Sequence, residues 1–166
     1  MHCTFRGEIG QKIDAKGRVS IPAQFRKVLD DGDPDRETGE DPNLIIVYGD
    51  SRRAFLEGYS ARAMAEVEAK IRAMKSSPKK RVLTRMFLTQ TWETRVDSTG
   101  RIVLPKPLRT RLGLGETGEL TFAGTGETFA IWNSVDYPAA IGEEDLAQIE
   151  GFEEDMDIAD LLDMED

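Results

Sequence analysis

The sequence predicts an α+β protein that is built by tandem duplication of one small β-rich unit, with helices between the two copies. A thirteen-residue motif, Asp14–Arg26, recurs without a gap as Asp97–Arg109, 83 positions further along. The two motifs share their Asp, Gly, Arg, Pro and final Arg, and a second block of apolar residues recurs after each. The segment between the copies is rich in helix-forming residues. Such self-similarity is the signature of a repeated structural unit.

Each motif predicts a strand, a tight turn, a second strand and a short helix. Asp14 and Asp97 can accept backbone N–H bonds across the turn, and Gly17 and Gly100 suit a turn position with positive φ. Alternating apolar residues then predict one buried face of the next strand, and a proline opens the helix.

The second repeated block pairs Leu44–Tyr59 with Glu119–Ser134 at an offset of 75. In this alignment Ile45 matches Leu120 and Val47 matches Phe122. The smaller offset predicts eight extra residues in the first copy, within a polar loop at 30–43. We expect strands at Leu44–Tyr48, Ala54–Leu56, Leu120–Phe122 and Thr128–Trp132.

Helices are predicted over Ser60–Lys75 and Lys79–Thr89, the second with Val82, Met86 and Phe87 on one side. The acidic end of the chain, from Gly142, is typical of a frayed amphipathic helix or a disordered segment. The predicted organisation is a first repeat at 8–58, connecting helices at 59–90, a second repeat at 91–134 and an acidic tail at 135–166.

Charge is distributed very unevenly along the chain, whose net charge is −9. Residues 1–111 hold all 22 Lys and Arg with 15 Asp and Glu, which gives +7, whereas residues 112–166 hold 16 acidic residues and no Lys or Arg, which gives −16. This asymmetry indicates a nucleic-acid-binding face combined with an acidic tail. No apolar run approaches the roughly 18 residues of a membrane-spanning helix, and no signal peptide is evident. A cytoplasmic protein without a membrane partner is expected.

Basic residues cluster at the two turns, which predicts a DNA-binding surface. They are Lys12, Lys16 and Arg18 in the first copy and Arg95 and Arg101 in the second. A β-hairpin tip that carries cations can enter a DNA groove, where arginine can contact a guanine edge while lysines neutralise phosphates. The final arginine of each motif supports the same hypothesis, because helix stability does not obviously require arginine there.

A catalytic or metal-binding function is not predicted. His2 is the only histidine, and His2 with Cys3 makes no closed metal site. A histidine-dependent triad would need that same residue, and no acidic pair has the apolar setting of a general acid and base. We therefore expect no enzyme, no metal, no cofactor and no small-molecule substrate.

Four segments together resemble the MraZ family of bacterial transcriptional regulators: Phe5–Gly7, Asp14–Pro22, Asp97–Pro105 and Phe129–Trp132. The resemblance runs from about Phe5 to Tyr137. It implies two swapped-hairpin units of the SpoVT/AbrB type, a double-split β-barrel architecture. It also implies a repressor that binds double-stranded DNA at its own division and cell-wall operon, in the cytoplasm and associated with the nucleoid. The implied assembly is a homo-oligomeric closed ring, an octamer or dodecamer.

The resemblance ties Arg18 to DNA binding more firmly than Arg101, whose neighbours Ser98 and Thr99 are not basic. Two alternatives stay open on the residues alone. One is an AbrB-type antitoxin module whose acidic tail binds a toxic partner. The other is an assembly scaffold in which the repeats serve only to build rings.

Overall fold

Eight strands and five α-helices make up residues 3–165, the part of the chain that the structure, a computed structural model, describes. A π-helical turn, Arg85–Thr89, continues α3, and 3₁₀ turns occupy Ser134–Asp136 and Ile158–Asp163. The elements are β1 (Glu8–Ile13), β2 (Arg18–Ser20), α1 (Ala23–Asp31), β3 (Asn43–Val47), β4 (Leu56–Tyr59), α2 (Ala61–Ala73), α3 (Pro78–Thr84), β5 (Thr91–Arg95), β6 (Arg101–Val103), α4 (Lys106–Arg111), β7 (Gly118–Gly124), β8 (Thr128–Asn133) and α5 (Glu143–Ala147).

The strands form two antiparallel sheets, which confirms the predicted α+β class. The larger sheet has six strands in the order β1-β7-β8-β4-β3-β5, and β2 and β6 form a two-stranded ribbon. Within residues 3–165, no helix has the length and apolar character that crossing a membrane requires.

Strands of one repeat copy pair with strands of the other. β1 of the first copy pairs with β7 of the second, and β3 of the first pairs with β5 of the second. The ladders β4–β8 and β2–β6 each join equivalent strands, and in the ribbon Val19 lies opposite its counterpart Ile102. Among the described strands, only the hairpins β3–β4 and β7–β8 are formed within one copy. The two copies therefore share one six-stranded sheet and one ribbon, and neither copy has a sheet of its own.

The main apolar core draws on both sheets and on α1 and α4. Phe5, Phe25, Phe122 and Phe129 are all less than 2% exposed at its centre. The Phe129 ring lies 4.9 Å from that of Phe5 and 5.1 Å from that of Phe25, centroid to centroid, in tilted arrangements. Such aromatic pairs add to the free energy gained by burying their apolar surface.

A second apolar cluster lies between α2 and the opposite face of β3 and β4, and it includes Met86 and Phe87. Val82 does not join them, because it is 66% exposed, so its predicted position on the apolar side is wrong. After α3 the helix continues as one wider π-helical turn. The hydrogen bond from Gln90 N–H to the Arg85 carbonyl closes this turn. The residues of this turn reach α2, whereas α3 itself has no buried residue.

The strand registers correct the predicted alignment of the second block. Ile9 and Trp92 are equivalent at the offset of 83, and they lie opposite Phe122 and Ile46, respectively. Ile46 and Phe122 therefore occupy equivalent positions, at an offset of 76 rather than 75. The first copy has seven extra residues before β3, not eight.

Burial agrees with the corrected register. Leu120 and Phe122 lie in the main core, whereas Ile45 and Val47, which the offset of 75 matched with them, pack against α2. A one-residue slip in a strand moves every side chain to the opposite face. The predicted matches Ile45/Leu120 and Val47/Phe122 are therefore wrong.

The strand predicted at Ala54–Leu56 is displaced, since β4 begins only at Leu56. The preceding residues form a turn, in which Arg53 N–H donates to the Asp50 carbonyl at 3.1 Å. Arg111 of α4 fixes this turn, because its Nη2 donates to the carbonyls of both Asp50 (2.7 Å) and Arg53 (2.8 Å).

Over 142–165, the described part of the acidic end, the structure has α5 and a 3₁₀ turn rather than one amphipathic helix. The apolar residues Leu146, Phe152 and Met156 line a shallow groove of their own. Like charges three or four residues apart disfavour a longer helix, and Gly151, with φ +83°, interrupts the helical backbone conformation.

Candidate nucleic-acid interface

The first turn is organised by Asp14. Its N–H donates to the Arg18 carbonyl (3.1 Å), and its own carbonyl accepts from Gly17 N–H (3.0 Å). Its Oδ1 accepts from the backbone N–H groups of Lys16 (3.0 Å) and Arg18 (2.9 Å). Gly17 has φ +88°, a region that side chains disfavour. The local sequence therefore determines the shape of this turn.

The same carboxylate holds the Arg18 side chain. Arg18 Nε donates to Asp14 Oδ2 at 2.6 Å, with the two side chains 48% and 41% exposed. The backbone N–H of Arg18, followed by its guanidinium, lowers the pKa of Asp14 below its ordinary value. The ion pair uses Nε and leaves the Arg18 side chain 48% exposed, so its two terminal nitrogens can still bind a planar pair of acceptors.

The second turn repeats the backbone pattern but not the ion pair. Asp97 Oδ1 accepts from the N–H groups of Thr99 (2.9 Å) and Arg101 (3.0 Å), and also from the Thr99 hydroxyl (2.7 Å). This hydroxyl makes the largest contribution to the lowered pKa of Asp97. Gly100 has φ +81°. Within the described residues the Arg101 guanidinium has no carboxylate partner, so the two turns hold their arginines differently.

The ribbon brings the two turn arginines onto one exposed face. Arg18 lies opposite Val103 and Arg101 lies opposite Ser20, while the intervening pair is buried in the core. Side chains alternate between the faces of a strand, so Arg18 and Arg101 are diagonal neighbours on the outward face. Such diagonal positions are roughly 7–8 Å apart.

An open groove of about 590 Å³ runs along this ribbon face beside the end of β1, and it includes Lys12, Arg18 and Arg101. Three of the five predicted DNA-binding residues are thus brought together. Glu119 also lines the groove, opposite Lys12 in the β1–β7 ladder. The groove is therefore cationic but contains acceptors, since Asp14 and Glu119 share it.

The other two predicted residues lie outside this groove. Lys16 is exposed on the first turn. Arg95 is on β5, the opposite edge of the six-stranded sheet from β1, and its Nη1 lies 3.4 Å from Glu40 Oε2. Arg95 corresponds to Lys12 in the repeat, yet the structure separates it from the other cations.

The final arginine of each motif contacts a turn rather than extending into solvent. Arg109 donates to a carbonyl of the first turn, and Arg26 packs on the glycine of the second. Their recurrence in the sequence indicated importance, but identical motifs do not reveal which turn each arginine contacts.

No group of three or more His, Cys, Asp or Glu side chains that could hold a metal ion occurs in residues 3–165. Cys3 is a free, half-buried thiol. His2, the other candidate considered from the sequence, lies outside the described residues.

Comparison with known proteins gives the family. The family model "MraZ protein, putative antitoxin-like" matches residues 87–157. A curated relative from Ruegeria pomeroyi, named "Transcriptional regulator MraZ", is 51% identical over 147 residues, which cover 88% of this chain and 84% of the relative. The chain belongs to the MraZ family. Relatives of the same name are 44% identical in Ruegeria sp. strain TM1040, over 96% of this chain and 95% of the relative, and 42% identical in Cereibacter sphaeroides, over 85% and 86%. The MraZ resemblance in the motifs is thereby confirmed.

Proposed function

We propose that this member of the MraZ family is a sequence-specific DNA-binding transcriptional regulator that represses its own division and cell-wall operon. One observation carries the proposal: Arg18, held by Asp14, shares an open groove on the exposed ribbon face with Arg101 and Lys12. The names of the relatives support a role in transcription.

In this proposal the ribbon β2–β6 contacts a DNA groove. Arg18 reads a guanine edge with its terminal nitrogens, while Lys12 and Lys16 neutralise phosphates. Because the ion pair with Asp14 already restrains the Arg18 side chain, less conformational entropy is lost on binding. Arg101 contributes less, since its guanidinium has no such restraint within the described residues.

We propose further that the repeats are two swapped-hairpin units of the AbrB type, at 8–58 and 91–134, joined by 59–90 and followed by the tail 135–166. The reciprocal pairing of β1 with β7 and of β3 with β5 supports this division. A nucleoid-associated ring in the cytoplasm, an octamer or dodecamer, would array many ribbons over repeated operator sites, and effective concentration would strengthen weak contacts. Native mass spectrometry tests the ring, and a monomer at micromolar concentration would contradict it.

Fluorescence anisotropy tests DNA recognition, with a labelled duplex from upstream of the protein's own gene and a scrambled duplex of equal length. Arg18→Ala and Arg95→Ala form a matched pair, because each removes one half-exposed cation. A lost bidentate guanine contact should weaken binding about 5- to 150-fold in Arg18→Ala. Arg95→Ala should stay within about threefold of the wild type, as expected for loss of a single exposed charge.

The affinity for the upstream duplex should also fall steeply with salt, because phosphate contacts release counterions. Equal binding of both duplexes by the wild type would contradict sequence-specific recognition. Equal losses in Arg18→Ala and Arg95→Ala would contradict the role assigned to the groove.

A further inference from the structure

Arg109, the last residue of the second motif, contacts the turn of the first. Its Nη1 donates to the Ala15 carbonyl at 3.0 Å, across 94 residues of chain. Its guanidinium carbon and Nε each lie 3.3 Å from the position that a Cβ on Gly17 would take. The guanidinium thus packs against the bare backbone of the glycine and also bonds to the turn.

Arg26, the last residue of the first motif, approaches the second turn in the corresponding way. Its guanidinium carbon lies 2.7 Å from the position of a Cβ on Gly100. Main-chain hydrogen bonds cross between the copies as well, because Gly17 accepts from Leu104 N–H and Gly100 accepts from Ile21 N–H, each at 2.8 Å. Each turn is therefore supported by the copy to which it does not belong.

The two arginines are held in place at a cost. The Nε atoms of Arg26 and Arg109 are both buried and have no hydrogen-bond partner within the described residues. A buried donor without a partner loses its hydration and gains nothing in exchange. A purely apolar side chain would avoid that cost. The Arg109 guanidinium both covers a glycine and reaches a carbonyl, which accounts for arginine at this position, and the Arg26 guanidinium covers Gly100.

We propose that Arg109 is a positioning residue for DNA recognition, which holds the first turn so that Arg18 and Lys16 project at a fixed angle. This inference rests on the proposed function. In this role Arg109 holds the turn rather than the DNA: its Nε is buried, and its Nη1 is bonded to the Ala15 carbonyl. Arg26 packs on Gly100 of the second turn, where Thr99 stands in the position of Lys16.

The chain supplies its own matched control, because Arg109→Met and Arg26→Met remove equivalent side chains. Hydrogen–deuterium exchange of the full-length protein, followed by mass spectrometry of peptides covering 12–18 and 95–101, reports on the two turns without DNA, because the turn amides in each peptide bond within their own turn. Arg109→Met should raise the exchange rate of the first peptide about tenfold or more and leave the second unchanged. Arg26→Met should give the opposite result. Unchanged exchange at the first turn in Arg109→Met, or equal acceleration of both turns, would overturn the proposal.

DNA binding provides the second arm, with Arg109→Lys as the conservative variant. Arg109→Met should lose as much affinity for the upstream duplex as Arg18→Ala does, and Arg109→Lys should not restore it, because an ammonium cannot cover Gly17. Binding of the scrambled duplex should keep its salt dependence. Wild-type affinity in Arg109→Lys, or a salt slope for the scrambled duplex lowered by about one in Arg109→Met, would instead mean that Arg109 contacts a phosphate directly.

The two arms separate failure of this inference from failure of the proposed function. If the wild type does not prefer the upstream duplex, the proposed function fails, and the positioning role in DNA recognition fails with it. The crossed exchange pattern still decides whether Arg109 supports the first turn. If the wild type prefers the upstream duplex and Arg109→Met binds it equally well, the positioning role alone fails.

Discussion

Replacing Gly17 with alanine should destabilise the protein by about 1.5–3.5 kcal/mol, from two separable causes. The first is backbone conformation, since Gly17 has φ +88°. A residue with a side chain costs roughly 1–2 kcal/mol in the left-handed region. The second is a steric clash, because the new Cβ would lie 2.5 Å from the carbonyl oxygen of Leu104. That oxygen belongs to the backbone and cannot rotate away, so the ribbon must shift.

The shift would weaken the bond from Leu104 N–H to the Gly17 carbonyl, now 2.8 Å long. A backbone hydrogen bond contributes about 0.5–1.5 kcal/mol net, which together with the conformational cost gives the expected range. Gly113 isolates the first cause, because it has φ +71° and no atom within 4 Å of a Cβ placed there. Gly113→Ala should therefore cost only about 1–2 kcal/mol. Gly100→Ala should fall between the two, because the atoms in its way belong to the Arg26 side chain, which can be displaced more easily than a backbone carbonyl.

Urea unfolding followed by circular dichroism measures these differences, and thermal unfolding should show about 2–4 °C per kcal/mol for a chain of this size. All variants must be compared at one protein concentration, because the proposed assembly would make the midpoint depend on concentration. A free energy of unfolding for Gly17→Ala within about 0.5 kcal/mol of that for Gly113→Ala would refute the argument from the Leu104 carbonyl.

Three further results are expected. Gly58→Ala should lose about 1–3 kcal/mol in thermal unfolding through overpacking, because the new Cβ would clash with the Phe129 ring and lie 2.6 Å from its Cε1; wild-type stability would contradict this. The folded state lowers the pKa of Asp14. The contribution of its carboxylate to the stability of the folded protein is therefore complete above the ordinary pKa and is lost as pH falls through the lowered pKa. DNA affinity at fixed salt should accordingly stay constant between about pH 6 and 8. Asp14→Asn, which frees Arg18, should weaken DNA binding. A wild-type affinity that changes over this pH range, or an unchanged affinity in Asp14→Asn, would argue against the ion pair. Deleting 142–166 removes 12 acidic residues and changes the net charge from −9 to +3, which should raise DNA affinity at low salt more than at high salt; an unchanged affinity would exclude competition by the tail.

The turns could be predicted because their hydrogen bonds are local. Asp14 bonds to residues two and four positions away, so residue type and spacing contain most of the necessary information. The register of β3 could not be predicted in the same way. Ile45 and Val47 are as apolar as Leu44 and Ile46, because both faces of this strand are covered. Without a polar face, hydrophobic alternation does not distinguish one register from the next.

The composition of the groove depended on contacts between distant parts of the chain. Lys12 and Arg95 are equivalent in the repeat, but only Arg95 lies beside Glu40, in the extra residues of the first copy. The crossed support by Arg26 and Arg109 was equally hidden. Two copies with the same residues fit contacts within a copy and contacts between copies equally well, and only the packing of α1 and α4 against the opposite turns distinguishes them.

The exchange of strands between the copies also sets the timing of folding during synthesis. Glu8 of β1 pairs with Ala123 of β7, 115 residues later. At roughly 5–20 residues per second, a ribosome needs about 6–23 s to make that partner. Throughout this interval β1 is an unpaired edge, and exposed edges recruit strands from other chains. Neighbouring ribosomes on one message present the same β7 sequence to the waiting strand. The topology that closes the sheet within one chain thus also gives nascent chains a period in which to exchange strands.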